Sequence, residues 1–248
     1  MARTLAPHPN LPRYYAGEAE RRSFVRKIFN QTAGDYERIE RWMALGSGSW
    51  YRRQALLRAG LARGMRALDV AIGTGLVARE EVAITGDAKL VLGLDPSIGM
   101  IQQARRTLNL TTVLAVAEEL PLAEGQFDFL SMGYALRHLS DLSATFREFH
   151  RVLKPGGRLC ILEISRPRTR IGRRAIKAYL RWIVPGMTRL LAKRRADSQL
   201  LWEYYWDTIE ACVPAETVIA ALSGAGFEQV KQHVELGVFS EYSARKPG

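Results

Sequence analysis

The stretch "RALDVAIGTGLVA", Arg66 to Ala78, decides the fold of this chain. Its apolar start predicts a buried strand, its paired glycines predict a turn, and the apolar spacing that follows predicts a helix. The glycines fit G-x-G-x-x-A, one form of the fingerprint that binds the pyrophosphate of a dinucleotide. Asp69 does not suit that ligand, because a carboxylate so close to the loop repels a pyrophosphate. The stretch therefore leaves open a dinucleotide or a nucleoside that carries a positive group.

The same alternation of strands and helices continues along the chain. Further strands are predicted at "KLVLGLD", "TTVLAVA", "FDFLSMGYA" and "RLCILEIS", and helices at "LVAREEVAI", "SIGMIQQARRTL" and "LSATFREFHRVL". The terminal stretches "EQVKQHVEL" and "GVFSEYSARK" predict an antiparallel pair of strands. Since strands that alternate with helices form a parallel sheet, we predict an α/β fold with a doubly wound, mainly parallel, seven-stranded sheet.

Helical segments precede and interrupt this core. The charged N-terminal segment has helical apolar spacing and predicts two or three helices, and "LGSGSW" predicts a loop. The segment after Arg166 is basic and aromatic and breaks the alternation, so we interpret it as an inserted helical cap. The predicted divisions are residues 1–63 (N-terminal helices that close over the site), 64–165 (nucleotide-binding core), 166–212 (cap) and 213–248 (last helix and strand pair).

The composition suits one α/β domain in a reducing compartment. The 248 residues are 47% hydrophobic, which is enough for a sizeable core. Neither Cys160 nor Cys212 lies in a C-x-x-C pair, so we expect no disulfide framework and no metal site. The N-terminal residues lack the apolar core of a signal peptide, and no apolar run has the length that spans a bilayer. We therefore expect a cytoplasmic protein.

Two carboxylates decide which nucleotide the core binds. Asp95 ends the second strand, 20 residues after Gly75, where an acidic side chain accepts hydrogen bonds from both ribose hydroxyls. Gly73-Thr74-Gly75 lets the backbone approach the ligand closely. Asp69 suits a ligand with an ammonium and a sulfonium group, which is S-adenosylmethionine. The alternative role of Asp69 is structural, as a carboxylate that fixes the loop through backbone hydrogen bonds.

A helix, a Pro-Gly-Gly turn and a fifth strand, "RVLKPGGRLCILE", are typical of class I methyltransferases. From about Phe29 to Lys246 the chain resembles the methyltransferase family of ubiquinone and menaquinone biosynthesis, which C-methylates a prenylated quinol precursor. The resemblance implies a Rossmann-like methyltransferase fold and S-adenosyl-L-methionine as cofactor. It rests on the stretches "FNQTAGDYERIERWMALG", "ALDVAIGTG", "LDPSIGM", "AEELPL", "FDFLSMGYALRHLSD", "EFHRVLKPGGRLCILEISRP", "ADS" and "GAGFEQV".

The resemblance also implies a set of cofactor-binding positions. Gly73, Thr74 and Gly75 match the loop beneath the methionine moiety, and Asp95 matches the acid that binds the ribose. Met100 falls where an apolar side chain packs on the adenine, although it equally suits the core of its own helix. The remaining positions are an adenine-binding pair, a glycine that faces the cofactor after the fourth strand, and a tyrosine on the closing N-terminal helix: Val116 and Ala117, Gly133, and Tyr36.

Several positions depart from the family pattern. Ile72 replaces a glycine of the loop, and because a β-branched residue avoids positive φ, we expect ordinary backbone there. Val116 replaces an asparagine, so the adenine amine loses a side-chain partner. Tyr242 replaces a histidine of the last strand, and Glu37 and Glu40 replace an aspartate and an asparagine. Because the changes collect on the acceptor side, the acceptor is either a quinol or an aromatic or isoprenoid compound of specialised metabolism.

The loop "ALRHLSD" after the fourth strand is expected to hold the catalytic groups. Methylation of a phenol's ring carbon needs a general base, or a cation that stabilises the phenolate. His138 titrates near neutral pH and is the candidate base, and Arg137 matches a family arginine and is the candidate phenolate stabiliser. The alternative is structural, with Arg137 in an ion pair and His138 capping the next helix. We expect His150 to be packed.

The net charge of +11 suggests an anionic partner, although an arginine-rich genome would give the same surface. The cap segment "RPRTRIGRRAIKAYLRWIVPGMTRLLAKRR" places a stripe of cations beside an apolar stripe. Such a segment suits an anionic membrane, a diphosphate group or plain solvation. The later "WEYYWDT" suits either the wall of an acceptor pocket or a core stripe. A homodimer and attachment to the inner face of the membrane both remain open.

Nucleic acid is not the expected acceptor. Enzymes that methylate amino groups of nucleic acid commonly carry N/D/S-P-P-Y after the fourth strand, where this chain has "SMGYAL". Neither Cys160 nor Cys212 follows a proline, as the nucleophile of cytosine C5 methylation does. We therefore expect an S-adenosylmethionine-dependent methyltransferase with a small, aromatic or prenylated acceptor. A non-catalytic relative of the fold is disfavoured by the intact loop and Asp95.

Overall fold

The computed structural model describes residues 4–43, 47–167, 169–184, 186 and 195–248, with side chains described outside residues 35–43, 47 and 195–198. Among these residues, no helix combines the length and apolar character needed to cross a bilayer. The helices are α1 (Glu18–Met43), α2 (Ser47–Ala59), α3 (Leu76–Thr85), α4 (Ile98–Thr107), α5 (Leu142–Val152), α6 (Arg170–Ala178), α7 (Arg195–Ala211) and α8 (Ala215–Gly224). A π-helical turn (Tyr179–Ile183) continues α6.

One sheet of seven strands forms the core, in the order β3-β2-β1-β4-β5-β7-β6. The strands are β1 (Ala67–Val70), β2 (Val91–Asp95), β3 (Thr111–Leu114), β4 (Phe127–Gly133), β5 (Leu153–Ile164), β6 (Glu228–Glu235) and β7 (Phe239–Arg245). The first five are parallel, and β7 runs antiparallel to both β5 and β6. The predicted fold is confirmed. The strand order reverses between β1 and β4, which is where open α/β sheets bind ligands.

Three details differ from the sequence prediction. Ser47–Trp50, predicted as a loop, belongs to α2, where the Ser49 hydroxyl donates to Glu80 of α3 at 2.5 Å. The third strand ends at Leu114, because Val116 bridges to Glu119 instead of pairing with β2. The "KPGG" turn lies inside β5 as an irregularity of its pairing with β4.

Apolar side chains cover both faces of the sheet. One cluster joins Leu68 and Ile161 of the sheet to Phe146 of α5 and Leu222 of α8. On the opposite face, a second cluster joins β1, β4 and β5 to α2 and α3. Helices α2, α3 and α4 cover one face and α5 and α8 cover the other, so the buried strands have apolar cover on both sides.

The N-terminal helix and the cap share a third apolar cluster. Ile28 of α1 packs in it with Leu180 of the π-helical turn and Trp206 of α7. The segment before α1 adds polar links, since the Tyr14 hydroxyl donates to Asp207 at 2.7 Å. The helices outside the core thus pack against one another, and the division of the chain into four segments stays a prediction.

Candidate active site

A cavity opens at the carboxyl ends of β1, β2 and β4. The loop after β1, the end of β2, the end of β4, and helices α1, α2 and α7 all contribute to its wall. Its lining residues are Val25, Arg26, Phe29, Arg52, Ala71, Ile72, Gly73, Thr74, Leu76, Val77, Asp95, Pro96, Ser97, Met100, Gly133, Tyr134, Ala135, His138 and Tyr205. The cavity lies at the reversal of strand order, as the sequence predicted for a nucleotide site.

Left-handed backbone aims the β1–α3 loop and the end of β4 at this cavity. Ala71 (φ 57°), Gly73 (φ 57°) and Gly75 (φ 92°) are left-handed in the loop, and Tyr134 (φ 59°) is left-handed after β4. A non-glycine residue in this conformation costs on the order of 1–3 kcal/mol, which the surrounding packing must supply. Such strain is frequent at functional sites, and both Ala71 and Tyr134 line the cavity.

Ile72 fills space that a neighbouring glycine leaves open. Its φ is not positive, as the sequence analysis expected, and its side chain is buried. A Cβ atom at Gly93 of β2 would lie 2.2 Å from Ile72 Cδ1, so the absence of a side chain at Gly93 makes room for the isoleucine. The departure from the family's glycine is therefore matched by a packing partner on β2.

Thr74 is buried on the cavity wall with an unsatisfied hydroxyl. Its Oγ1 has no hydrogen-bond partner among the described residues. A Cβ atom at the adjacent Gly73 would meet nothing closer than the Ala71 carbonyl oxygen at 4.0 Å, so space lies open beside the loop. A buried polar atom without a partner calls for a bound polar group or water. The loop therefore fits a ligand with hydrogen-bonding groups.

Asp95 joins the loop after β1 to the end of β2. Its Oδ2 accepts a hydrogen bond from the Gly73 backbone N–H at 2.9 Å, and its Oδ1 accepts one from the Ser97 N–H at 2.8 Å. Burial raises the pKa of Asp95 to about 6, although both backbone hydrogen bonds oppose that rise. Each carboxylate oxygen keeps a lone pair, so Asp95 can still accept from a ligand hydroxyl.

Asp69 does not lie on the cavity wall. It is buried beneath the loop, and its Oδ1 accepts a hydrogen bond from the Ser131 hydroxyl at 3.0 Å. Burial, and next the charge of Glu81, raise the pKa of Asp69 well above its usual range, and burial raises the pKa of Glu81 to about 7. This geometry favours the structural alternative for Asp69 over a contact with the ammonium or sulfonium group.

The other predicted cofactor positions divide into two groups. Met100 and Gly133 lie on the wall, and Met100 is almost fully buried there. Val116 and Ala117 do not line the cavity, and Ala117 belongs to the apolar core. Tyr36 lies among the residues whose side chains are not described.

His138 sits on the wall in an aromatic setting. Its ring lies parallel to Tyr204 at 5.4 Å and edge-on to Phe29 at 5.2 Å. Nδ1 is 3.3 Å from the Tyr204 hydroxyl, and the buried Nε2 has no partner among the described residues. Burial, and next the charge of Arg137, hold the pKa of His138 well below its usual range. His138 is therefore neutral at physiological pH. The helix cap is made instead by Asp141, which accepts from Ser143 N–H.

Arg137 is buried behind the wall and does not line the cavity. Its Nη1 forms an ion pair with Glu163 and donates to the Tyr134 carbonyl at 2.9 Å. Its guanidinium lies over the Tyr205 ring at 4.2 Å from the centroid. The ion pair is the structural alternative considered for Arg137, and it places the charge next to the site instead of within it.

The cavity includes residues that sequence reasoning missed. Arg26 of α1 and Arg52 of α2 line the wall, and Arg52 is buried. Behind His138, the buried His8 lies 3.1 Å from Arg21 Nη2, and Arg21 also donates to the Arg137 carbonyl. All four precede β1 in the sequence, and no motif marks them, so only the packing of the N-terminal segment reveals them.

Comparisons with known proteins bear on this site. The model of the ubiE/COQ5 methyltransferase family matches residues 16–246. The ubiquinone/menaquinone biosynthesis C-methyltransferase UbiE of Shewanella sp. (strain W3-18-1) is 32% identical over 225 residues, which cover 88% of each chain.

Solved structures of methyltransferases share the fold. A SAM-dependent methyltransferase of Thermotoga maritima, described as a possible histamine N-methyltransferase, has a TM-score of 0.62 at 21% identity over 89% of this chain and 99% of its own. Phosphoethanolamine N-methyltransferase 2 of Haemonchus contortus, in complex with phosphomonomethylethanolamine and S-adenosylhomocysteine, has a TM-score of 0.63 at 17% identity over 90% and 60%, respectively.

Proposed function

The chain belongs to the ubiE/COQ5 methyltransferase family and is an S-adenosylmethionine-dependent methyltransferase, and we propose that it methylates a ring carbon of a phenolic or prenylated quinol-type small molecule. The observation that carries this proposal is His138, a neutral residue that lines the cavity and whose buried Nε2 has no partner among the described residues. Carbon methylation of a phenol requires a proton acceptor at such a position.

The residues that would hold the cofactor come from three strand ends. We assign the ribose hydroxyls to Asp95, the methionine moiety to Gly73 and Thr74, and the adenine face to Met100. The unsatisfied Thr74 hydroxyl and the open space at Gly73 support this assignment. When bound, S-adenosylmethionine supplies an electrophilic methyl group and a neutral sulfide as leaving group.

His138 would accept the phenol proton at Nε2, with its own proton on Nδ1 facing Tyr204. Removal of that proton raises the electron density of the ring carbons, so that one of them would form the new carbon–carbon bond as the bond from the methyl group to the sulfide breaks. The methylated carbon would then lose its hydrogen as a proton to water and the phenol oxygen would regain a proton from His138 Nε2, which restores the aromatic ring with one proton released overall. Phe29 and Tyr205 lie on the same wall and suit an aromatic acceptor. Alignment of the two reactants would supply much of the remaining acceleration.

Arg137 would act through its neighbours. Its ion pair with Glu163 and its position over Tyr205 hold the turn that carries His138. Its charge is buried and paired with Glu163, and the expected role as phenolate stabiliser stays a prediction. Truncation of Arg137 would therefore remove its positioning role and its charge together. Changes at His138 give the cleaner test of the mechanism.

The second candidate acceptor is an aromatic or isoprenoid compound of specialised metabolism, with or without a diphosphate. It is motivated by the replacement of the family's histidine by Tyr242, which in the structure is buried and lines a cavity other than the candidate active site. A quinol with a prenyl chain resides in lipid, whereas a diphosphate is carried in water. We propose the quinol as the first acceptor, and with it a place at the cytoplasmic face of a membrane.

The direct test is methyl transfer to a reduced prenylated hydroquinone, followed by mass spectrometry for a product heavier by one methylene. We expect His138→Ala to lower kcat by about 100- to 10,000-fold, as loss of a general base does, with cofactor binding retained. Because the pKa of His138 lies below its usual range, wild-type kcat/KM should not fall between pH 8 and pH 6 through its protonation.

His233→Ala is the control, since that histidine is exposed beside Glu235, away from the cavity. Wild-type turnover in His138→Ala would refute the base assignment. Methylation of an isoprenoid diphosphate without any quinol product would replace the first acceptor with the second. Metabolites of a strain that lacks the gene would then identify the accumulated precursor, lighter by one methylene.

A further inference from the structure

The outer side of the cap carries large apolar side chains in solvent. Ile171 is 82% exposed, Trp182 is 75% exposed and Ile183 is 52% exposed, on α6 and the π-helical turn that continues it. We propose that these three side chains, together with the exposed Arg174 and Arg181, form a surface that docks on an anionic lipid bilayer. We call these five residues the outer cap face.

The inner side of the same helix already has its packing partners. Leu180 and Val184 are buried against the aromatic residues of α7, including Trp206. Arg173 faces α7 and pairs with Glu210 at 3.0 Å. The exposed isoleucines and Trp182 are therefore not needed to attach the cap to the protein. Scattered apolar side chains are common on surfaces, but a group of this size on one helix marks a contact surface.

Cations flank the apolar side chains. Arg174 and Arg181 are exposed and form no ion pair with any residue that the structure describes. In a helix, Ile171 and Arg174 are three residues apart, so their side chains share one side. Helices that lie in a membrane interface carry apolar residues such as Trp and Ile beside arginine. The apolar side chains enter the headgroup region, and the guanidinium groups contact lipid phosphates.

The apolar side chains decide between an anionic membrane and nucleic acid. Contacts to a nucleic-acid backbone come from cations and hydrogen-bond donors, and they gain nothing from exposed isoleucines. A bilayer uses both kinds of side chain. The net charge of +11 favours an anionic bilayer over a neutral one.

A fourth exposed apolar residue lies near the start of α6. Leu236, in the turn between β6 and β7, is 80% exposed and lines a cavity of about 480 Å³. Gly172, next to Ile171, lines the same cavity. The start of α6 and the β6–β7 turn therefore border the same cavity. Docking of the outer cap face would bring Leu236 near the lipid surface.

The proposal is tested by co-sedimentation of the full chain with lipid vesicles. We expect binding to phosphatidylcholine vesicles that contain phosphatidylglycerol, weaker binding to pure phosphatidylcholine, and a loss of binding as salt rises, since salt screens exposed charges. Trp182→Glu should weaken binding by about tenfold or more, because it removes apolar area and adds a repelled charge. Trp50→Glu is the matched control, as Trp50 is 62% exposed on α2.

A charge-reversal pair separates docking from folding. Arg174→Glu with Arg181→Glu should weaken binding to anionic vesicles by about tenfold or more, whereas Arg106→Glu on α4 should not. Circular dichroism and cofactor binding without vesicles verify that each variant is folded. Equal binding of Trp182→Glu and Trp50→Glu, equal binding to both vesicle types, or wild-type binding to RNA but not to vesicles would each overturn the proposal. None of these results depends on which acceptor is methylated.

Discussion

At the scale of single residues, Asp95 combines the proposed binding of the ribose with the support of the loop after β1, and only the first of these roles was expected from the sequence. The ribose role was expected from its place at the end of β2. The structure adds that Asp95 accepts from the amides of Gly73 and Ser97, so it fixes the loop that would hold the methionine moiety. A change at Asp95 therefore affects the ligand directly and through the loop.

We predict that Asp95→Ala weakens binding of S-adenosylhomocysteine by tenfold or more, measured by calorimetry. Charge-assisted hydrogen bonds each contribute about 1.5–3 kcal/mol, and 1.4 kcal/mol is already tenfold. Asp128→Asn, at a partly exposed carboxylate paired with Lys154 away from the cavity, is the control. Wild-type affinity in Asp95→Ala would remove the ribose assignment.

Asp69, just before the β1–α3 loop, shows what the sequence could not predict. Asp69 was expected to face the ligand, because its position in the strand suited a positive group. Side chains of a strand alternate between two faces, however, and the face of Asp69 is covered by Glu81 of α3. The partner on α3 could not be known without the packing of that helix.

At the scale of elements, the fit of the β1–α3 loop on β2 explains a departure from the family pattern. Ile72 occupies the space above Gly93, where a Cβ atom would approach its Cβ and Cγ1 to 3.3 Å as well as its Cδ1 to 2.2 Å. The isoleucine of the loop and the glycine of β2 thus form a complementary pair.

We predict that Gly93→Ala lowers the free energy of unfolding by about 1–3 kcal/mol, because overpacking forces the buried Ile72 to shift. A second change, Ile72→Val, removes the nearest carbon atom and should recover part of the loss. Urea unfolding of both variants measures this. If the double variant is no more stable than Gly93→Ala alone, the two residues do not share the space.

The turn between β4 and α5 depends on a buried ion pair. Glu163 of β5 accepts from the Arg137 backbone N–H at 3.2 Å as well as from its guanidinium. The sequence placed Arg137 and His138 in the loop after β4 and offered an ion pair as one alternative. It did not identify Glu163, because the partner lies on another strand, 26 residues away.

At the scale of the whole molecule, buried titratable groups make the stability depend on pH in two opposite ways. Burial lowers the pKa of His8 to about 4, so its contribution to stability is lost as the pH falls from 6.5 towards 4. Burial raises the pKa of Glu81 to about 7. In the unfolded chain the pKa of Glu81 is its ordinary value of 4.5, so the folded protein loses stability as the pH rises from 4.5 through 7.

We compare the free energy of unfolding of Glu81→Gln with that of the wild type. We predict that this difference shifts by about 2–3 kcal/mol in favour of the variant as the pH rises from 5 to 8. The wild type must ionise a buried carboxyl next to Asp69 over this range, whereas glutamine does not. Urea unfolding at both pH values measures the difference, with the exposed Glu119→Gln as control. A difference that is the same at pH 5 and pH 8 would contradict the prediction.

The sequence by itself determined the fold and the family, and it predicted the edge of the sheet at which the candidate site lies. Apolar periodicity, glycine turns and the order of strands are local properties, and they bring the loop after β1, Asp95 and the end of β4 to one edge of the sheet. Tertiary structure alone decided which side chains reach the cavity. Arg26 and Arg52 come from helices outside the core, Asp69 and Arg137 are covered by partners distant in sequence, and the outer cap face is exposed because α7 covers only one side of α6. Contacts between distant segments produce no periodic pattern in the sequence, so the side chains that meet are decided by the packing of the folded chain.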